Sequence, residues 1–294
     1  MIISASYRTD IPAFYPAWFL ERLRAGYCEV ANPYSGRPSR VSLRREDVDG
    51  FVFWTKNLQP FREALTEVRS RGIPFIVQYT VNGYPRELER AVTEWPRAVE
   101  HLRWLAREFG ARTGVWRYDT ILVTSLTPLA WHIENFDRIS AQLTGIVDEV
   151  IISFAHLYRK TKRNLDMAAR AQRFSWSDPP LEAKQRLLDA LKAIAAARGQ
   201  RVTVCAQPEA GGEPARCIDS RRLSDVASYP IPARTKGNRP GCECAESRDI
   251  GAYETCPHGC VYCYAVDVAA RARRAWGRHD PGAARLGAPS GPLE

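Results

Sequence analysis

The chain of 294 residues, 45% of them hydrophobic, is long enough for one large core or two modest ones and has the make-up of an ordinary water-soluble globular protein. No run reaches the length and apolarity of a membrane span, and the opening MIISASYRTD lacks the basic and then apolar regions of a secretory signal, so a cytoplasmic protein with no membrane partner is expected. A formal net charge of +9 favours an anionic partner, whether nucleic acid, nucleotide or phosphorylated metabolite.

Strand-like runs alternate with helical stretches along most of the chain. IISAS at 2–6 reads as a strand and AWFLERLRAG as the helix after it; FVFWT at 51–55 leads to FREALTEVRSRG, and PFIVQYT at 74–80 to a long stretch from Arg86 to Phe109. VWRYD at 115–119 precedes a helix around 134–143, EVIISFA at 149–155 precedes helical segments across 164–196, and RVTVCA at 201–206 makes a sixth strand. Six such units predict an α/β fold, a parallel partial TIM-like barrel with both faces covered.

After Ala206 the composition changes. GGEPARC and KGNRPGCEC read as loop organised by ligands rather than by a core of its own. The expected organisation is a (β/α)6 barrel-like domain over 1–206, a cysteine-rich cluster-binding extension over 207–276, and a flexible tail, GRHDPGAARLGAPSGPLE, over 277–294.

Five of the eight cysteines fall between 242 and 263, which points to cofactor ligation rather than a disulfide framework. Cys256, Cys260 and Cys263 stand in TCPHGCVYCYA with the spacing C-x3-C-x2-C. Such a loop can turn three thiolates onto one [4Fe-4S] cluster and leave the fourth iron without a protein ligand. The competing reading is a zinc site completed by His258 or an earlier cysteine; His258 is also placed to hydrogen-bond near a cluster sulfur. Cys205, Cys217, Cys242 and Cys244 suffice for a second, fully ligated [4Fe-4S] cluster, with structural zinc as the alternative. Cys28 stands alone and reads as a buried small side chain.

The C-x3-C-x2-C spacing, with aromatic Tyr262 before the third cysteine, resembles the radical S-adenosylmethionine superfamily. That resemblance implies a [4Fe-4S] cluster on Cys256, Cys260 and Cys263, S-adenosylmethionine chelating the open iron, and an external one-electron reductant driving cleavage to a 5′-deoxyadenosyl radical. In that superfamily the cluster loop follows the first strand, whereas here it follows the sixth; in a barrel the last strand approaches the first, so the loop can reach the same mouth. Nearly the whole chain also resembles a bacterial family known as domain of unknown function 1848, through SYRTDIPAFY at 6–15, VFWTKN at 52–57 and CECAESRDIGAYETCPHGCVYCYA at 242–265.

Polar residues at several strand ends converge on one mouth. Arg8, Lys56 and Arg117 are candidates to hold a carboxylate or phosphate, Asp10 and Asp119 a ribose, an amine or one of those cations, and His156 to transfer a proton. Asn57, Gln78 and Ser153 are candidates for cofactor contacts. For each, a salt bridge or helix cap is the competing reading, and Asp10 before Ile11 and Pro12 is well suited to capping. The function expected from these features is radical chemistry on an anionic or nucleotide-like substrate. The alternatives are a non-catalytic iron-sulfur protein for electron transfer or nucleic-acid binding, and a zinc-stabilised binding module.

Overall fold

The computed structural model describes residues 1–32 and 35–288. In chain order its strands are β1 (Ile2–Ala5), β2 (Tyr27–Ala31), β3 (Pro38–Ser42), β4 (Gly50–Thr55), β5 (Phe75–Thr80), β6 (Gly114–Ile121), β7 (Val123–Thr124), β8 (Glu149–Phe154), β9 (Trp176–Ser177), β10 (Arg201–Val204), β11 (Glu213–Pro214) and β12 (Ser247–Asp249). The helices are α1 (Ile11–Phe14), α2 (Pro16–Ala25), α3 (Arg62–Ser70), α4 (Trp95–Phe109), α5 (Leu129–Gln142), α6 (Arg159–Gln172), α7 (Leu181–Ala196), α8 (Ser220–Ala227) and α9 (Ala269–Gly277).

All six anticipated strands form, and they join one eight-stranded parallel sheet in the order β11-β10-β8-β6-β5-β4-β1-β12. Their near-continuous apolar runs follow from burial on both faces. One face carries Ile3, Phe53, Val77, Trp116 and Ile152 against Phe19, Leu65, Leu102, Phe136 and Leu187 of the connecting helices. The alternate residues Ile2, Val52, Ile76, Val115 and Ile151 pack instead with Leu223 of α8, Ile231, Cys217 and Cys244. Residues beyond Ala206 thus fill the second face of the sheet. Cys28 is fully buried among the first set, the structural part anticipated for it.

Two strands of this sheet were not foreseen, and they occupy its edges; β2 with β3 and β7 with β9 form separate two-stranded pairs. β11 extends the large sheet beyond β10, and β12 pairs in parallel with β1. No pairing joins β11 to β12 among the described residues, so no closed barrel forms. The long stretch from Arg86 is helical only from Trp95, where Pro96 sits in the first turn; residues 82–94 are mostly loop and bridge to the cysteine loop through Glu89 and Cys260. The first part of the expected flexible tail is docked: Trp18 Nε1 donates to Ala283 O at 2.9 Å, Arg22 Nη2 to Gly282 O at 2.9 Å, and Leu286 is buried. Residues 289–294 lie outside the described residues. Among the described residues, no helix is long and apolar enough to cross a membrane.

Candidate metal centre

The pairing of β12 with β1 sets Ser4 opposite Asp249, so the chain after Asp249 leaves the sheet at the end from which β1 also emerges. Asp249 fastens this exit. Its carboxylate accepts from Ser4 Oγ (2.9 Å), Ser6 Oγ (2.8 Å), Tyr7 N (3.1 Å) and Gly251 N (2.9 Å), and Arg8 Nε pairs with it at 3.4 Å. Burial still raises its pKa, outweighing Arg8 and these hydrogen bonds. A side chain at position 251 would place its Cβ 1.9 Å from Ser6 Oγ, so only glycine permits this approach.

The cysteine loop follows at once. Cys263 N donates to Cys260 O (3.2 Å), Val261 N to Leu88 O (3.1 Å) and Ala91 N to His258 O (2.9 Å), which pin the loop on the 82–94 segment. Gly259 turns it with φ +72°. The Cys256 thiol feels Cys263 and Cys260 electrostatically, and Cys260 feels Lys56, so the three sulfurs share one locality. Burial pushes all three thiols up, which makes them neutral without a cation and ties metal uptake to proton release.

His258 does not face these sulfurs as a fourth donor. Its Nε2 lies 2.7 Å from Asp10 Oδ2 and its Nδ1 3.3 Å from Ala91 O, which commits both ring nitrogens to oxygen acceptors. Asp10 is engaged as well. Its Oδ1 caps α1 through Ala13 N (2.9 Å) and its Oδ2 accepts from Lys56 N (2.8 Å), so the capping reading of Asp10 holds.

Lys56 turns inward from the end of β4 to Glu89 Oε1 at 2.7 Å and Tyr262 Oη at 3.3 Å. Asn82 Nδ2 donates to the same Glu89 oxygen (3.2 Å) and to Tyr262 Oη (3.1 Å), while Tyr262 Oη itself donates to Glu89. Burial works against the Lys56 charge, but Glu89 and then Cys260 raise its pKa above the usual value. A largely covered cation thus stands near the Cys260 sulfur. Glu89 and Asp249 escaped the sequence reading because each acquires its partners from distant segments.

On the β6 side of the mouth, Asp119 receives Arg117 Nε (3.0 Å) and Ser153 Oγ. Burial opposes the Asp119 charge, yet the Arg117 guanidinium and the Ser153 hydroxyl hold its pKa below the usual value. Arg117 also lies over Trp54, 4.8 Å from the ring centre. Gln78 joins Arg117 to the Cys217 segment: its Oε1 accepts from Arg117 Nη1 at 3.3 Å and its Nε2 donates to Cys217 O at 2.7 Å. Asn57 serves a local turn, its Oδ1 accepting from Gln59 N at 3.2 Å. His156 Nε2 is buried with no hydrogen-bond partner among the described residues, and burial followed by Arg239 lowers its pKa.

The model of the family described as domain of unknown function (DUF1848) matches residues 2–265. The chain belongs to that family. No curated protein matches it. The DUF1848 match takes in all eight cysteines and every mouth residue above, and it ends before α9.

Within this DUF1848 domain four further thiols meet on the inner face of the sheet. Cys217 Sγ lies 3.5 Å from Cys205 Sγ, and Cys217 and Cys244, like Cys244 and Cys242, shift each other's pKa. Arg117 Nη1 donates to Cys217 Sγ at 3.1 Å, Arg239 Nη2 to Cys205 Sγ at 3.4 Å and Ile218 N to Cys244 Sγ at 3.4 Å. The Cys244 thiol is the main cause that lowers Cys242 to about 6. These are pairwise contacts; among the described residues no group of three or more His, Cys, Asp or Glu side chains already converges as the shell of a single ion.

Proposed function

We propose that the chain is a radical S-adenosylmethionine-type enzyme with an open [4Fe-4S] centre on Cys256, Cys260 and Cys263. The observation that carries this reading is the engagement of His258 and Asp10 with each other and with backbone groups, which leaves three thiols in the loop and occupies its histidine and the carboxylate beside it. A cluster bound there supplies, with an external one-electron reductant, the electron that cleaves S-adenosylmethionine to methionine and the hydrogen-abstracting 5′-deoxyadenosyl radical.

The chain's own residues bind, orient and exclude water. Lys56, held by Glu89, places positive charge beside Cys260 and offsets the charge of the thiolates. Arg8, with 14% of its side chain exposed between Tyr7 and Tyr253, suits a carboxylate or phosphate of an anionic or nucleotide-like substrate. Asp119, steadied by the Ser153 hydroxyl, offers a carboxylate acceptor for hydroxyl groups, and the unpartnered Nε2 of His156 is the group suited to a proton at the substrate. The parallel sheet holds all of them at one end of its strands. Eight free thiols suit a reducing compartment such as the cytoplasm.

Anaerobic, iron-loaded protein should form 5′-deoxyadenosine from S-adenosylmethionine only when a reductant is present. Salt-sensitive binding of nucleic acid with no cleavage under those conditions would instead support a non-catalytic role.

A further inference from the structure

Cys205 and Cys217 belong to one edge of the sheet and Cys242 and Cys244 to the other. Cys205 follows β10 and Cys217 follows β11, whereas Cys244 is three residues ahead of β12, a reach of about 10 Å at most. The two groups nonetheless meet: Ile218 N, next to Cys217, donates to Cys244 Sγ at 3.4 Å, and Ala245 N donates to Ile218 O at 2.8 Å. The two open edges must therefore turn towards each other at this place, although no strand pairing joins them among the described residues. We infer that Cys205, Cys217, Cys242 and Cys244 form a closed four-thiolate metal centre, taking one zinc-class ion or one [4Fe-4S] cluster, that staples the two edges of the open sheet.

A buried cysteine is ordinarily a small apolar side chain, and four of them in an apolar cluster need no metal. The arginines argue otherwise. Neutral thiols do not call for guanidinium donors, yet Arg117, 4% exposed, donates to Cys217 Sγ and the half-buried Arg239 donates to Cys205 Sγ. Four thiolates with a zinc ion or an oxidised cubane carry about two net negative charges, which Arg239 and Arg117, the latter shared with Asp119, offset in part. The Ile218 amide adds a third donor to sulfur, the kind of outer contact that fixes metal-bound thiolates. A shell of four thiolates leaves no position for substrate, so the work of this centre is to hold the fold shut and to fix Arg117, which reaches from Cys217 to Asp119 in the mouth. The 3.5 Å sulfur contact favours the zinc arm, because tetrahedral zinc thiolates stand about 3.8 Å apart while a cubane places each thiolate on a different iron.

Native mass spectrometry and metal analysis of the intact, anaerobically prepared chain test this inference independently of the open centre. The expected result is about one zinc per chain, or about four irons beyond those on Cys256, Cys260 and Cys263, lost in Cys217→Ser and kept in Cys260→Ala. Removal of that metal from the wild-type chain by a chelator should lower its melting temperature by roughly 10 °C. A wild-type chain that takes up neither metal after supply of zinc, iron and sulfide, or that carries a Cys205–Cys217 disulfide instead, overturns it, and so does metal content that Cys217→Ser leaves unchanged.

Discussion

His258 Nε2 and Asp10 Oδ2 lie 2.7 Å apart across 248 positions of sequence. The pair joins the start of the first helix to the middle of the cysteine loop. It also takes from the loop its one nitrogen donor. If His258 orients the loop without ligating metal, His258→Ala should lower iron occupancy yet leave the electron paramagnetic resonance spectrum of the remaining cluster unchanged. A changed spectrum would mean that the imidazole had been a ligand.

Asp10→Ala removes the cap of α1, the acceptor for Lys56 N and the anchor of His258 in one step. A loss of about 1–3 kcal/mol in urea unfolding is expected, together with poorer iron retention on gel filtration.

Gly251→Ala tests the close approach of the loop to β1. The added methyl would meet Ser6 Oγ, which Asp249 holds at 2.8 Å, and cannot be accommodated without moving the chain that leads to Cys256. Destabilisation of about 1–3 kcal/mol should accompany reduced iron loading. Unfolding in urea and iron analysis of the same preparation check both.

Arg222 provides a control far from the mouth in function. It is 1% exposed, donates to Arg112 O and Gly114 O at 2.8 Å each, and pairs with Asp148 and Glu149. Arg222→Ala should cost about 3–5 kcal/mol, since it takes the nearest cation from the buried Glu149 and the guanidinium donor from the Arg112 and Gly114 carbonyls, while the iron spectrum of the folded fraction stays unaltered.

Asp119 sets an acid limit. Its folded pKa is depressed below 3.8, so its pair with Arg117 contributes stability above that value and loses it as pH falls through the lower folded value. The stability difference between wild type and Asp119→Asn should therefore be constant near neutrality and shrink below about pH 4. A difference that persists unchanged into stronger acid would show that the Asp119 charge is not what the pair uses.

Alternating apolar runs made the six inner strands legible, because a strand buried on both faces must be apolar almost throughout. The edges were not. Ser247–Asp249 is three polar residues that become a strand only because β1 offers an unpaired partner. The segment 82–94 looked continuous with α4, yet its amides and carbonyls are spent on the cysteine loop, as in Val261 N to Leu88 O. Cysteine spacing singled out both thiol groups, and strand-end position found Arg8, Asp10, Lys56, Arg117 and Asp119. Glu89, in a loop, and Asp249, at the end of β12, have no such local mark: the role of each arises from contacts made in the folded chain. The docked stretch after α9 is rich in Gly and Ala, and its anchors are backbone carbonyls that composition does not reveal.

The open centre on Cys256, Cys260 and Cys263 is tested most directly by electron paramagnetic resonance of the anaerobic, reduced protein with and without S-adenosylmethionine. The expected result is a [4Fe-4S] signal that changes on addition of S-adenosylmethionine and disappears in Cys260→Ala. A signal indifferent to S-adenosylmethionine at saturation, or one that survives in Cys260→Ala, would contradict it.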